Sequence, residues 1–451
     1  MTQPTHSPTP PTSQTESAFS RFLKATEIDT RLFGMVGALL LIWLAFEAYA
    51  VIMLGKSSLL LGGNGAGTFL TPRNLWNLSV QTASIGIMAT GMVLVIITRN
   101  IDLSVGSMLG LCGVVMGLMQ VYILPPQLGL GHPMIWIIAV LAGISTGIVV
   151  GAFHGWLIAY RRIPSFIVTL GGLMVWRGTA YLVGHGGETI SPVDTTFVLL
   201  GGGPYGSVGG MGSWIVGMIA AAAIVFMVVS GRKQRRTHGF AQRPVWADTF
   251  LGALGCGFVL GAVLLVNAYP WPAGIVKDWA AKNAVTVPET GLFISHGFAI
   301  PVLILIVVGI VMTILMTRSR FGRYVFAIGG NPEAAELAGI NTRLMSVKIF
   351  ALMGGLAGLS AVVASARLNS ASSTLGVLDE LYVIAAAVIG GTSLAGGVGT
   401  IYGAILGALV MQSLQSGMVL IGFDAAIQQI VVGLVLVLAV YLDIVFRSKS
   451  K

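Results

Sequence analysis

Charge is scarce in this chain. Only 9% of its 451 residues are Asp, Glu, Lys or Arg, against roughly 25% in soluble domains. A soluble fold of this length needs more polar cover, which excludes a cytosolic enzyme and a nucleic-acid binder. Cysteine is nearly missing as well. Cys112 and Cys256 both sit in apolar runs, so neither a disulfide scaffold nor a cysteine metal site is expected. The six histidines are scattered and no H-E-x-x-H pattern occurs, so no metal ligand set and no catalytic residue is expected. Two glycine patterns resemble nucleotide loops and fail on context. Gly55-Lys56-Ser57 has Ala50 where a phosphate loop needs glycine, and Gly201, Gly203 and Gly206 follow no strand.

What is present is apolar. Hydrophobic residues make up 55% of the chain, mean hydropathy is +0.89, and there are 61 glycines. This composition is that of a polytopic membrane protein, in which glycine lets helix backbones approach closely. Apolar runs of spanning length lie near 32–54, 75–98, 103–121, 135–159, 164–184, 213–230, 247–268, 298–317, 346–365, 379–394, 397–421 and 425–446. The run at 379–394 is short and 90–112 is interrupted by polar residues, so the fold is an all-α bundle of about 10–12 segments, some broken. Residues 1–31 read as a disordered tail that begins Thr-, Ser- and Pro-rich, 32–446 as the membrane domain and 447–451 as a second tail.

Placing the N-terminus in the cytoplasm puts 19 Lys and Arg on that side and five on the other, with Arg177 inside a span. The positive-inside rule then sets both termini in the cytoplasm. It also accounts for the net charge of +9 without a nucleic-acid partner. The opposite loops, 55–74, 185–212 and 269–297, are Gly-, Pro- and Thr-rich, and the last is long enough for a short surface helix around 277–283.

Two segments carry functional content. Thr98–Ser107 sets Arg99, Asn100, Asp102, Ser104 and Ser107 between apolar runs. It reads either as a surface turn with Asp102 paired to Arg99, or as a broken helix beside a transport pathway. Val105-Gly106-Ser107 and Gly110 recur 293 residues later as Val398-Gly399-Thr400 and Gly403, a weak internal echo of two halves. Such Gly-interrupted segments point to a central pathway. The second segment lies in the basic loop 318–348. Asn331 is a good N-cap, Pro332 fits the first helical position, Glu333 and Glu336 suit the helix N-terminal half, and Gly339 suits a left-handed exit. A helix this short needs a surface to pack on, its own protein's or a partner's.

Asp102-Leu103-Ser104-Val105-Gly106-Ser107, Arg162–Gly171, Phe321-Gly322-Arg323 with Ala327–Ala335 and Gly339-Ile340, and Gly390–Gly399 form four ordered motifs. With them the chain resembles the permease subunits of bacterial ABC sugar importers of the ribose, xylose, arabinose and galactose group, over roughly 70–446. The extra basic loop and span at 231–268 resemble the xylose-type members. The departures are a long N-terminal tail and the extended loop 269–297. The resemblance implies a multi-pass protein of the bacterial inner membrane that works as a dimer with a second copy. It implies two ATP-binding subunits, or one duplicated ATPase, holding ATP and Mg, and a periplasmic or lipid-anchored sugar-binding protein. This chain itself would hold no cofactor. Gly330, Asn331, Pro332, Glu333, Glu336 and Gly339 would then form the contact with the ATPase. Asn77 and Gln81, four apart on one helix face, are expected to line the pathway with Asp102, Ser104, Thr392 and Ser393. An ion-coupled secondary transporter is the alternative. It needs an embedded carboxylate relay, for which Glu47, Asp102 and Glu380 are the candidates, each near a predicted span end.

Overall fold

The computed structural model describes residues 18–28, 30–55, 69–289 and 291–448. Residues 1–17, most of the loop after residue 55, including Lys56 and Ser57, and the last three residues lie outside the described set. The chain folds as α1 (Ala18–Thr26), α2 (Thr30–Leu54), α3 (Pro72–Ile97), α4 (Val105–Leu118), α5 (Pro125–Leu128), α6 (Met134–Arg161), α7 (Ser165–Val183), α8 (Thr195–Val198) and α9 (Gly209–Thr237). It continues with α10 (Val245–Asn267), α11 (Ala273–Lys282), α12 (Ile300–Arg318), α13 (Arg320–Gly330), α14 (Pro332–Leu337), α15 (Thr342–Leu368), α16 (Asp379–Ile389), α17 (Ile401–Leu420) and α18 (Ala425–Ser448). Among the described residues ten helices are long and apolar enough to cross a membrane. With the half-helix α16 counted between α15 and α17, successive membrane segments alternate in direction, so the basic loops gather at one end of the bundle, which we call the basic end.

Burial separates the roles of these helices. The apolar stretch of α3 is 89% buried, while those of α9 and α10 are each 11% buried. A helix that is hydrophobic all round and enclosed by protein is a central mast. Helices equally apolar but uncovered need lipid as their solvent. The closest packing is between α6 and α15, where Gly147 and Gly354 meet backbone to backbone. A Cβ on either glycine would collide with the carbonyl oxygen of the other. This is small-residue packing, in which close backbones replace the missing hydrophobic drive between helices in lipid.

Two interruptions give the bundle its character. After Ile97 the chain turns at Arg99 (φ 62°) and climbs through 100–104 into the protein before α4 starts. The second was not visible in the sequence echo. Gly399 lies in the turn between α16 and α17 at the basic end, and the membrane-depth break is instead 369–378, ahead of α16. That segment enters from the opposite end, bridged at Ala371 to Ile190, and reaches Gly106 of α4 at Gly376. The predicted short run at 379–394 is therefore the half-helix α16, of 11 residues. At 1.5 Å per residue it spans about 16 Å, close to half of the roughly 30 Å hydrocarbon thickness.

The tail expected over 1–31 is described from Ala18, and Ala18–Thr26 is helix. Composition gave no sign of it because its partners are distant in sequence. Phe22 packs on Trp246 and Phe250 with ring centroids 5.9 and 5.5 Å away. Glu27 accepts hydrogen bonds from Arg235 and Arg243 at 2.7 Å each. Those bonds, Arg235's first, hold the Glu27 carboxyl down at about 2. A depressed acid pKa stabilises the folded state above the unfolded value of 4.5, and the contribution is lost as pH falls from there towards 2. Glu27→Gln mimics the acid form at neutral pH. It is expected to raise the rate of tryptic cleavage after Lys24 severalfold, and an unchanged rate would show that the pair does not hold α1.

Candidate functional site

A stripe of polar side chains runs down the first half of α3. Asn74, Asn77, Gln81 and Ser84 recur at three- and four-residue spacing and so share one face. The last turns of α17 carry a matching stripe in Gln412, Gln415 and Ser416. The two stripes face each other across a cavity of about 490 Å³ closed at the side by the end of α15. They touch at two points. Ser416 Oγ donates to Asn74 Oδ1 at 3.2 Å, and Gln412 Nε2 donates to Gln81 Oε1 at 3.5 Å. Amides and hydroxyls both donate and accept, the chemistry that a polyol requires.

The cavity lies towards the end away from the basic loops, among the first turns of α3 and the last turns of α15 and α17. Its floor is the re-entrant chain and the first turn of α16, with Leu375, Gly376 and Asp379 among the lining residues. Non-helical backbone this deep needs partners for its carbonyls. Arg177 of α7 supplies them, donating to Ser373 O at 2.7 Å, Leu375 O at 2.8 Å and Gly376 O at 3.3 Å. Arg177 lies 12 residues into α7, about 18 Å from its start, which agrees with the depth given by α16. Asp379 and Glu380 sit at the positive end of α16, and Arg177 and Arg367 oppose the charge of Asp379. Gly106 fits against Gly376 because it has no side chain. A Cβ there would strike Gly376 O and Glu380 Oε2. Below this contact α3 from Ile87 to Ile97 and α16 from Tyr382 to Val388 are buried, so the cavity has no continuation towards the basic end.

The six residues expected along the pathway fall into two groups. Asn77 and Gln81 line the cavity. Asp102, Ser104, Thr392 and Ser393 are buried elsewhere. Asp102 is not paired with Arg99. Its Oδ1 accepts from the Ser104 amide at 2.9 Å and from Ser104 Oγ at 2.6 Å, a local turn that launches α4. Trp176 Nε1 donates to His154 Nε2 at 2.8 Å. This assigns the His154 proton to Nδ1, which lies 3.3 Å from Ser104 Oγ. The hydrogen bonds thus run Trp176, His154, Ser104, Asp102. Thr392 and Ser393 belong to the α16–α17 turn at the basic end, where Ser393 N donates to Val398 O at 2.9 Å and Thr392 packs beside Gly399. Arg99 instead reaches Gly329 O at 3.0 Å and Gly330 O at 2.7 Å, tying the break after α3 to the end of α13.

The short helix in the basic loop is α14. Asn331 Oδ1 accepts from the Ala334 amide at 3.0 Å, Pro332 opens the helix, and Gly339 is left-handed at φ 82°. Ala335 is buried against the protein while Glu333, Glu336 and Leu337 project outward, Leu337 being 91% exposed.

Sequence reasoning did not assemble Arg177, Arg367, Asp379, Gln412 and Ser416 into the site. Arg177 carried a signal, as a cation inside a span. The α17 stripe had one too, polar residues at helical spacing. Glu380, expected near a span end, is at a helix end but deep in the bundle. Glu47 is buried in α2 and accepts from the Leu70 amide at 3.1 Å. A larger groove of about 840 Å³ lies between α9 and α10 and touches none of these groups.

A helical bundle with a re-entrant floor beneath a polar cavity defines a membrane transport protein. The chain belongs to the family described as branched-chain amino acid transport system / permease component, whose model matches residues 74–440. It is 38% identical over 387 residues to the xylose transport system permease protein XylH of Haemophilus influenzae, covering 85% of this chain and 92% of that protein. The corresponding XylH of Escherichia coli K12 is 37% identical, over 85% of this chain and 88% of that one. The ribose import permease protein RbsC of Escherichia coli K12 is 32% identical, over 83% and 87%. No solved structure matches.

Proposed function

We propose that this chain is the membrane-spanning permease subunit of an ATP-driven sugar importer and passes xylose or a related monosaccharide inward. The observation that carries the substrate class is the pair of facing amide and hydroxyl stripes on α3 and α17. The similarity to xylose and ribose permeases supports the same class. It also favours an ATP-driven importer over an ion-coupled transporter.

In this reading the basic end faces the cytoplasm, as the charge asymmetry favours, and the cavity faces outward to receive sugar from a periplasmic or lipid-anchored binding protein. Two ATP-binding subunits, or a duplicated one, dock on α14 through Glu333, Glu336 and Leu337 and hold the ATP and Mg. Movement of α14 reaches the membrane through α13 and Arg99, whose two hydrogen bonds join them to the break before α4. Inward opening then requires the Gly106–Gly376 contact to part. Nucleotide and sugar act by differing in affinity for the two conformations. A second copy of the permease completes the transporter.

The test is uptake of labelled xylose into proteoliposomes with the ATPase and binding protein. Asn77→Leu with Gln81→Leu is expected to cut uptake at least tenfold while ATPase co-purification persists. Glu333→Lys with Glu336→Lys is expected to weaken co-purification and leave membrane insertion intact. Uptake driven by an ion gradient without ATPase would overturn the proposal.

A further inference from the structure

The α9–α10 hairpin takes no part in the cavity or in the basic-end contacts of α13 and α14. Its two helices run antiparallel and leave the 840 Å³ groove between them. On α9 the groove is lined by Val225, Val229, Arg232, Lys233 and Arg236, positions that share one helical face. On α10 Gly252 and Cys256 make room opposite the valines. From Arg236 to Val225 the groove runs eleven residues, about 16 Å. One leaflet contributes about 15 Å of hydrocarbon. The groove is therefore one leaflet deep, apolar inside and basic at its mouth.

The charges at the mouth are not equivalent. Arg232 is paired to Asp248 at 2.6 Å, and Arg235 and Arg243 are taken by Glu27. Lys233 and Arg236 are exposed and have no acidic partner among the described residues. Both helices are otherwise uncovered along their apolar length, so the groove opens sideways to lipid.

We propose that this groove binds one anionic phospholipid from the leaflet at the basic end. Its phosphate sits on Lys233 and Arg236, and one acyl chain lies along Val225 and Val229 beside Gly252 and Cys256. Charge at the mouth and depth in the wall match a headgroup and a chain together. A soluble phosphate would use only the mouth, and a neutral lipid only the wall. The neutralised Arg232–Asp248 pair leaves the mouth net positive, in the region where basic side chains attract anionic headgroups.

The full-length chain in detergent is titrated with palmitoyl-oleoyl phosphatidylglycerol and with its phosphatidylethanolamine counterpart, and bound lipid is counted by native mass spectrometry. The wild type is expected to retain one phosphatidylglycerol in preference to phosphatidylethanolamine. Lys233→Gln with Arg236→Gln should weaken phosphatidylglycerol binding about tenfold or more and leave phosphatidylethanolamine unchanged. Gly252→Leu fills the slot without altering charge and should abolish the retained lipid, keeping the idea testable should the double variant fold poorly. Equal retention of phosphatidylglycerol in wild type and both variants would overturn it. So would full competition by glycerol phosphate, which marks a soluble phosphate site, or variants that change only the dimer fraction, which marks a second copy as the occupant.

Discussion

Arg177→Met is expected to reduce xylose uptake below a tenth of wild type and to lower the thermal stability of the purified protein. Arg177 is the support of the re-entrant floor. Its guanidinium donates to three carbonyls, Ser373, Leu375 and Gly376, in a segment of turns that leaves the first two with no backbone donor among the described residues. Without it the Ser373 and Leu375 carbonyls are left unpaired at about 1–3 kcal/mol each, while Gly376 O keeps the Asp379 amide at 3.3 Å. The two together are a large share of the roughly 5–15 kcal/mol that holds a typical domain together. Methionine keeps the bulk and removes every donor, and Asp379 loses one of its two opposing cations. Arg177→Lys should be intermediate, because one ammonium cannot reproduce the planar fork. The checks are uptake in proteoliposomes and the melting point followed by size-exclusion chromatography. Wild-type values in both for Arg177→Met would sink the assignment of Arg177 as the floor's support.

Gly354→Val is expected to remove folded protein from the membrane. At this position α15 crosses α6, and a Cβ would fall on the carbonyl of Gly147, with the Gly151 Cα 3.2 Å away. Backbone on both sides cannot move aside as a side chain can. Overpacking of a core side chain costs about 1–3 kcal/mol, and a clash with two fixed helices should exceed that range. Gly143→Ala is the control on the same face of α6. There the added methyl would meet the flexible tail of Met116, which can swing away. The amount of monodisperse protein after extraction measures both. Equal recovery of Gly354→Val and Gly143→Ala would mean that the α6–α15 crossing is not the tight contact it looks.

The spans were legible because each is a long apolar run, a property of contiguous residues. The N-cap, proline and terminal glycine of α14 were legible for the same reason. Asn77 and Gln81 could be paired because a helix places residues four apart together. Local patterns could not reveal the floor. Nothing near Ser373 or Gly376 announces that the chain turns back at membrane depth, since the groups that permit it, Arg177 and Gly106, lie on other helices. The echo at Gly399 was a genuine likeness of residues but marked the turn between α16 and α17 at the basic end. Asp102 looked like a partner for Arg99 by proximity, yet Arg99 found carbonyls on α13 and Asp102 found Ser104.

The sequence by itself determined that this protein lives in a membrane, roughly where it crosses, which end is basic and which family its motifs resemble. These follow from the transfer of apolar side chains out of water and from short-range backbone rules. Tertiary structure alone decided where the polar residues of α3 and α17 meet, how deep the chain re-enters and what closes the cavity. Those outcomes depend on buried polar groups finding partners far along the chain, and on glycines placed where two backbones must touch.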